Sequence, residues 1–132
     1  MFRNTEAFSG FAVDDLDQAR RFYGEVLGLP ASEVEEMPQL MTLHLAGDRP
    51  VLVYEKPDFV PATYTILNFA VPDVGKAVAE LADRGVTFER YEGFSHDEDG
   101  VVRGMGPEIA WFKDPAGNVL SVVQQASATP GG

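Results

Sequence analysis

The chain has 132 residues, is 45% hydrophobic and carries a net charge of −11, from 10 Lys and Arg against 21 Asp and Glu. These values fit one folded domain, and the acidic balance disfavours nucleic acids and anionic membranes as partners. The sequence contains no cysteine, which excludes disulfides, thiolate metal sites and cysteine nucleophiles. No apolar run approaches the ~20 residues of a membrane helix, and the first residues lack a signal-peptide pattern, so we expect a cytoplasmic protein.

An internal repeat is the most informative feature of the sequence. Phe11–Leu16 (FAVDDL) is followed by a similar segment, Phe69–Val74 (FAVPDV), at an offset of 58 residues from position 11 to position 69. Each copy begins as an apolar strand, turns at an aspartate and enters a helical pattern. The chain therefore contains two related modules.

A helix is predicted after each repeated strand. The first begins near Asp15, whose carboxylate can accept hydrogen bonds from exposed N–H groups, and ends before Gly28 and Pro30. The second begins near Asp73 and ends before Gly85. Both helices are short, so each needs a sheet to cover its apolar stripe. The stripes are Leu16, Ala19, Phe22, Tyr23, Val26 and Leu27 in the first helix, and Val74, Ala77, Val78 and Leu81 in the second.

Strands are predicted after each helix. The segment Glu33–Met37 fits a strand or a loop, and the glycine-rich segment Gly93–Gly106 is predicted to be a mobile loop. The predicted strands are Leu40–Leu45 and Val51–Glu55 in the first half, and Thr87–Tyr91, Glu108–Lys113 and Val119–Gln124 in the second.

Each half thus has the order βαβββ, which predicts an α+β fold. We place module 1 at about 7–56, a linker at about 57–63, module 2 at about 64–125 and a flexible tail at 126–132, all within a single domain 1–132. The two modules are expected to form two small sheets packed edge to edge, which together give a cupped mixed sheet with the helices on its outer face.

Two longer segments carry a family resemblance. Phe11–Leu29 (FAVDDLDQARRFYGEVLGL) resembles the opening of vicinal oxygen chelate proteins, in which Phe-Tyr followed by Leu-Gly is typical. Trp111–Gln125 (WFKDPAGNVLSVVQQ) resembles their closing hairpin. That superfamily includes glyoxalase I, extradiol dioxygenases, fosfomycin-resistance enzymes and bleomycin-binding proteins. The resemblance extends over about 7–125 and implies the same two-module fold and cup.

The resemblance also implies where a metal would bind. Metal-using members hold a divalent ion with His, Glu or Gln on the first and last strands of each module, and the matching positions here are Phe8, Val53, Ile66 and Ser121. Three of these side chains offer no lone pair, and the fourth is a neutral hydroxyl. Register shifts of one or two residues restore no ligand cluster, because the chain has only two histidines. We therefore expect no metal ion and no other cofactor.

Strand alternation predicts a largely apolar cup with a few polar groups, which suits a partly hydrophobic small molecule. Trp111 fits either the rim of the cup, beside Tyr91, Phe94 and His96, or the core. The residues predicted to bind the ligand are Phe8, Val53, Glu55, Ile66, Asn68, Trp111 and Ser121.

The leading hypothesis is a metal-free protein, similar to glyoxalase and bleomycin-resistance proteins, that binds a small organic ligand. Because an acidic protein attracts cations, this ligand could be an antibiotic that the protein sequesters. The alternative is a lyase, isomerase or dioxygenase-like enzyme with non-standard metal ligands, for which His44, Glu55 and His96 are the acid–base candidates. The resemblance also implies a homodimer.

Overall fold

The computed structural model describes residues 1–126, so the predicted tail, 126–132, lies outside the described residues except for Ala126. The chain divides between Pro61 and Ala62 into two compact units. Each unit contains one four-stranded mixed sheet and one helical segment, in the order βαβββ. The predicted α+β class and the two-module organisation are therefore confirmed.

The first unit has one parallel and two antiparallel strand pairs, in the order β1-β4-β3-β2. The segment that fitted either a strand or a loop contributes the end of β2, followed by a turn in which Glu36 has a φ of 65°. The elements of this unit are β1 (Ser9–Val13), α1 (Leu16–Arg21), β2 (Ala31–Val34), β3 (Met37–Leu45) and β4 (Arg49–Glu55).

Asp15 caps helix α1, as predicted, by accepting a hydrogen bond from the N–H of Gln18 at 3.1 Å. The helix continues as a π-helical segment, Phe22–Val26, in which the N–H of Leu27 donates to the carbonyl of Phe22 at 3.0 Å. Gly28, with a φ of 72°, then ends the helical path in the left-handed conformation that glycine tolerates.

The second unit has the same architecture, with the strand order β5-β8-β7-β6 and a parallel β5–β8 pair. Asp73 caps helix α2 by accepting from the N–H of Lys76 at 3.1 Å. The elements of this unit are β5 (Thr65–Val71), α2 (Val74–Asp83), β6 (Phe88–Glu89), β7 (Ile109–Lys113) and β8 (Val119–Gln124).

The segment 93–106 has buried residues and defined hydrogen bonds. Val102 forms β-bridges with His96 and Ile109, and Val101 and Val102 are only 1% and 2% exposed. The Arg90 guanidinium donates to the carbonyls of Asp97 and Glu98 at 2.9 and 2.8 Å. The segment contains no helix or strand, as predicted for a loop, and two buried valines and these hydrogen bonds hold it against its own sheet. Its mobility stays a prediction.

Candidate functional site

The first sheet has one face on its helix and an opposite face, here called its far face. Val53 is fully buried and lies beside Phe11, whose ring contacts the Tyr23 ring from the helical segment at 5.5 Å. Leu52 and Tyr54, which alternate with Val53, lie on the far face. The predicted direction of Val53 was therefore wrong, since its side chain belongs to the core beneath the helix.

Glu55 also lies on the helix side, contrary to prediction. It pairs with Val13, and its Oε1 accepts a hydrogen bond from the N–H of Leu16 at 3.2 Å, at the start of helix α1. A carboxylate at a helix N-terminus satisfies a backbone donor that the helix leaves unpaired. The structure gives Glu55 a capping role.

The strand register also corrects the metal-ligand positions. Ser121 pairs with Asn68 in the second sheet, and the corresponding pair in the first sheet is Leu52 with Gly10. The first-module counterpart of Ser121 is therefore Leu52, one residue before the predicted Val53. A leucine has no donor atom, so the correction moves the position without supplying a ligand.

The residues at the four family positions do not fit a divalent cation. Phe8 is 69% exposed and precedes β1, whereas Ile66 lies at a register shift in β5 and is half-buried. Only Ser121 offers an oxygen, and its hydroxyl donates to Asn68. Within residues 1–126, no cluster of three or more His, Cys, Asp or Glu side chains could hold a metal ion.

In the second sheet, the Gln124 side chain accepts a hydrogen bond from the N–H of Val74 at the start of helix α2, so Gln124 faces the helix and Ser121, three residues earlier on β8, lies on the opposite, far face. This far face carries a row of polar and aromatic side chains. Asn68, Ser121, Trp111 and Glu89 are successive cross-strand partners on β5, β8, β7 and β6. Partner residues on adjacent strands project from the same face. Three of the predicted ligand-binding residues, Asn68, Ser121 and Trp111, are thus brought together in one unit.

The polar end of this row is a buried hydroxyl and an exposed amide. Ser121 is fully buried, and its Oγ donates to Asn68 Oδ1 at 2.5 Å. This bond fixes the orientation of the carboxamide. The two hydrogens on Asn68 Nδ2 have no partner within residues 1–126 and remain available to a ligand.

Trp111 forms the aromatic end of the row. Its Nε1 donates to Thr65 Oγ1 at 3.1 Å, and its indole contacts the rings of Tyr91 and Phe94 at 5.4 Å each and that of His96 at 6.2 Å. Phe94 is 42% exposed. Trp111 is half-buried and lies beside these three rings, whereas its place at the rim of a cup stays a prediction.

His96 is held in a defined tautomer. Its Nε2 accepts from the N–H of Tyr91 at 3.0 Å, and its Nδ1 lies 2.8 Å from the carbonyl of Gly100. A carbonyl can only accept, so Nδ1 carries the hydrogen and the imidazole is neutral. Both ring nitrogens are thereby engaged in fixing the backbone of segment 91–100, which makes His96 a positioning residue.

His44 lies on β3 of the first sheet. Its Nε2 is 2.8 Å from the Ser32 hydroxyl, and both side chains are exposed. The three predicted acid–base candidates, His44, Glu55 and His96, do not form one cluster: Glu55 caps a helix, and His96 bonds to two backbone groups.

The sequence analysis did not predict two neighbours of Trp111, namely Thr65 and Glu89. Glu89 Oε1 lies 3.5 Å from Lys113 Nζ. The pKa of the Tyr91 hydroxyl is raised, because burial and the negative charge of Glu89 outweigh the lowering effect of the Lys113 charge. The alternation of β6 and β7 could have suggested Glu89 as the partner of Trp111, but Thr65 reaches Trp111 only through the register shift at the start of β5.

The sequence matches the family model described as the Glyoxalase/Bleomycin resistance protein/Dioxygenase superfamily over residues 7–122. The chain belongs to this superfamily. No curated protein shows significant sequence similarity to it.

Solved structures of this superfamily share the fold at low identity. A glyoxalase family protein from Enterococcus faecalis is 20% identical, with 94% of this chain and 100% of that chain covered and a TM-score of 0.68. TnmS3, an antibiotic binding protein from Streptomyces sp. CB03234, is 22% identical, with coverage of 93% and 98% and a TM-score of 0.66. Lactoylglutathione lyase from Agrobacterium tumefaciens is 20% identical, with coverage of 92% and 93% and a TM-score of 0.62.

None of the helices within residues 1–126 has the length and apolar character needed to cross a membrane.

Proposed function

We propose that the protein binds a small, partly hydrophobic organic molecule on the far face of its second sheet and holds it without a protein-bound metal ion. The observation that carries this proposal is the row Asn68–Ser121–Trp111, in which a fixed amide donor lies near an aromatic cluster. Apolar surface with a few directed polar groups is the usual composition of a small-molecule site.

The donor chemistry supports binding without a metal. Of the four family positions, Phe8, Leu52 and Ile66 carry hydrocarbon side chains, and Ser121 is engaged with Asn68. A neutral hydroxyl alone is a poor anchor for a divalent ion. The superfamily contains an antibiotic binding protein with the same fold, TnmS3, which makes antibiotic sequestration the physiological role we propose.

Calorimetric titration with cationic glycopeptide antibiotics and hydrophobic metabolites tests the proposal. We expect at least one compound to bind, Trp111→Leu to weaken that binding strongly, and Gln18→Ala, at an exposed position of helix α1, to leave it unchanged. Absence of binding across the panel, or equal binding by Trp111→Leu, would contradict the proposal.

Metal analysis of protein purified without chelator tests the alternative enzyme. Stoichiometric zinc, nickel, manganese or iron would favour a lyase, isomerase or dioxygenase-like activity with non-standard ligands. The homodimer implied by the family resemblance stays a prediction, and light scattering on the purified protein measures it.

A further inference from the structure

The polar end of the Asn68–Ser121–Trp111 row is specific for an acceptor. Asn68 Oδ1 already accepts a hydrogen bond from the Ser121 hydroxyl, so Asn68 presents the two N–H bonds of Nδ2 to a ligand. Two amide hydrogens on an exposed side chain complement a carbonyl oxygen, which has two lone pairs and no hydrogen to donate.

The other end of the row is specific for a flat ring. The indole N–H of Trp111 donates to Thr65, so Trp111 can contact a ligand only through the surface of its ring. Phe94, whose ring lies 5.4 Å from the indole, exposes 42% of its surface. Aromatic rings in this arrangement favour a further aromatic ring through offset or edge contacts.

Charge excludes one class of acceptor. A carboxylate ligand would approach a chain of net charge −11, and the lysine beside Trp111 on β7, Lys113, is already paired with Glu89 at 3.5 Å. The electrostatic cost therefore favours an uncharged carbonyl over an anionic one.

The spacing between Asn68 and Trp111 also limits the length of the ligand. Asn68 on β5 and Trp111 on β7 are separated by one intervening strand, and adjacent strands lie about 4.8 Å apart, so their backbones are about 10 Å apart. A fused bicyclic ring with one carbonyl substituent can extend from the amide of Asn68 to the indole.

We propose that this face selects a planar aromatic molecule with a neutral carbonyl oxygen, in which the oxygen accepts from Asn68 Nδ2 and the ring packs on Trp111 and Phe94. This inference rests on the proposed function and names the ligand class for the same site.

Three matched compounds test the selection: 1-naphthamide has the ring and a neutral carbonyl, naphthalene has the ring alone, and 1-naphthoate has the ring and a charged carboxylate. Binding is measured by NMR titration of the ¹⁵N-labelled protein, following the side-chain N–H signals of Asn68 and Trp111. We expect 1-naphthamide to bind about fivefold to tenfold more tightly than naphthalene, the value of one hydrogen bond, and 1-naphthoate to bind less tightly than 1-naphthamide.

The variant Asn68→Asp keeps the oxygen that accepts from Ser121 and removes both donors. It should reduce the affinity for 1-naphthamide to that for naphthalene while leaving the affinity for naphthalene unchanged. Gln18→Ala, at an exposed position of helix α1, is the control and should change neither affinity.

Equal affinities for 1-naphthamide and naphthalene, tighter binding of 1-naphthoate, or no binding of all three would each overturn the assigned ligand class. The proposed function fails separately, when no compound of the antibiotic and metabolite panel binds at Trp111. A panel compound without an aromatic carbonyl group that binds there would retain the function and reject this inference.

Discussion

The side chain of Glu55 accepts a hydrogen bond at 3.2 Å from the backbone N–H of Leu16, which lies 39 residues earlier in the chain. Gln124 makes the equivalent bond to the N–H of Val74, also at 3.2 Å, in the second unit. The last residue of a sheet strand thus caps the helix in both modules, with a carboxylate in one and an amide in the other.

This relationship predicts the outcome of substitutions at Glu55. Glu55→Ala removes the acceptor and should lower the free energy of unfolding by about 0.5–1.5 kcal/mol, whereas Glu55→Gln keeps an acceptor, as Gln124 does, and should cost less. Urea unfolding measures both. Equal losses for the two variants would show that the hydrogen bond contributes nothing. Neither variant should alter ligand affinity, because Glu55 lies on the helix side of its sheet.

The two histidines should respond differently to substitution. His96→Leu leaves the N–H of Tyr91 and the carbonyl of Gly100 without their partners and should lower the free energy of unfolding by about 1–3 kcal/mol. His44→Leu, at an exposed position, is the control and should change it by no more than about 0.5 kcal/mol. Chemical denaturation compares them.

The tautomer of His96 is a separate prediction. Long-range ¹H–¹⁵N spectra at neutral pH should show the hydrogen on Nδ1, because Nε2 accepts from the N–H of Tyr91. Observation of the hydrogen on Nε2 would contradict the arrangement of segment 91–100 described above. Accelerated hydrogen exchange at the Tyr91 amide in His96→Leu would support it.

Asp97 predicts a pH dependence of stability. Burial raises the pKa of its carboxyl, but hydrogen bonds from the N–H groups of Val101 and Asp99 and from the Arg103 guanidinium outweigh this and hold it below the ordinary value of 3.8. Because the folded-state pKa is the lower one, the stabilisation is present above pH 3.8 and is lost as the pH falls through the folded-state value.

The stability difference between the wild type and Asp97→Asn should therefore be larger at pH 7 than at pH 2.5 or so. Urea unfolding at the two pH values measures it. Asp83→Asn, on an exposed position of helix α2, is the control and should show a smaller change between them. A wild-type advantage that grows in acid would reverse the expected sign.

Substitutions at two glycines with similar φ angles distinguish the cost of a steric clash from the cost of backbone strain. Gly100 has a φ of 96°, and an added Cβ would lie 3.0 Å from the Phe88 Cβ; Gly93 has a φ of 90° with nothing within 4 Å. Gly100→Ala should therefore destabilise the protein more than Gly93→Ala, by about 1 kcal/mol or more. Thermal unfolding measures the stability of both variants. Equal losses of stability would indicate that the Phe88 side chain moves aside at no energetic cost.

The helices could be predicted from the sequence because their determinants are local. Asp15 and Asp73 cap the N–H three residues ahead, and the apolar stripes of α1 and α2 are visible at helical spacing. The direction of Val53 could not be predicted, because Val51–Tyr54 is apolar at every position and shows no alternation. Its direction follows from pairing with Phe11, which is distant in the sequence.

The buried contacts of segment 93–106 could not be predicted for a similar reason, since they depend on residues outside the segment. Glycines and charged residues dominate its composition, but Val101 and Val102 are buried through a bridge to Ile109 and the packing of this part of the second unit. In the candidate site, strand alternation predicts that Asn68 and Ser121 line the same cup, whereas the contact of Trp111 with Thr65 depends on an irregularity in β5 that local sequence does not indicate.

A comparison of equivalent positions in the two sheets predicts how many ligand molecules each polypeptide binds. Where the second sheet has Asn68 and Ser121, the first has Gly10 and Leu52, so the amide that would recognise a carbonyl occurs once in the duplicated architecture. Duplication has preserved the helix caps in both copies and left recognition chemistry in one. Saturation should accordingly require a single equivalent of ligand for each polypeptide.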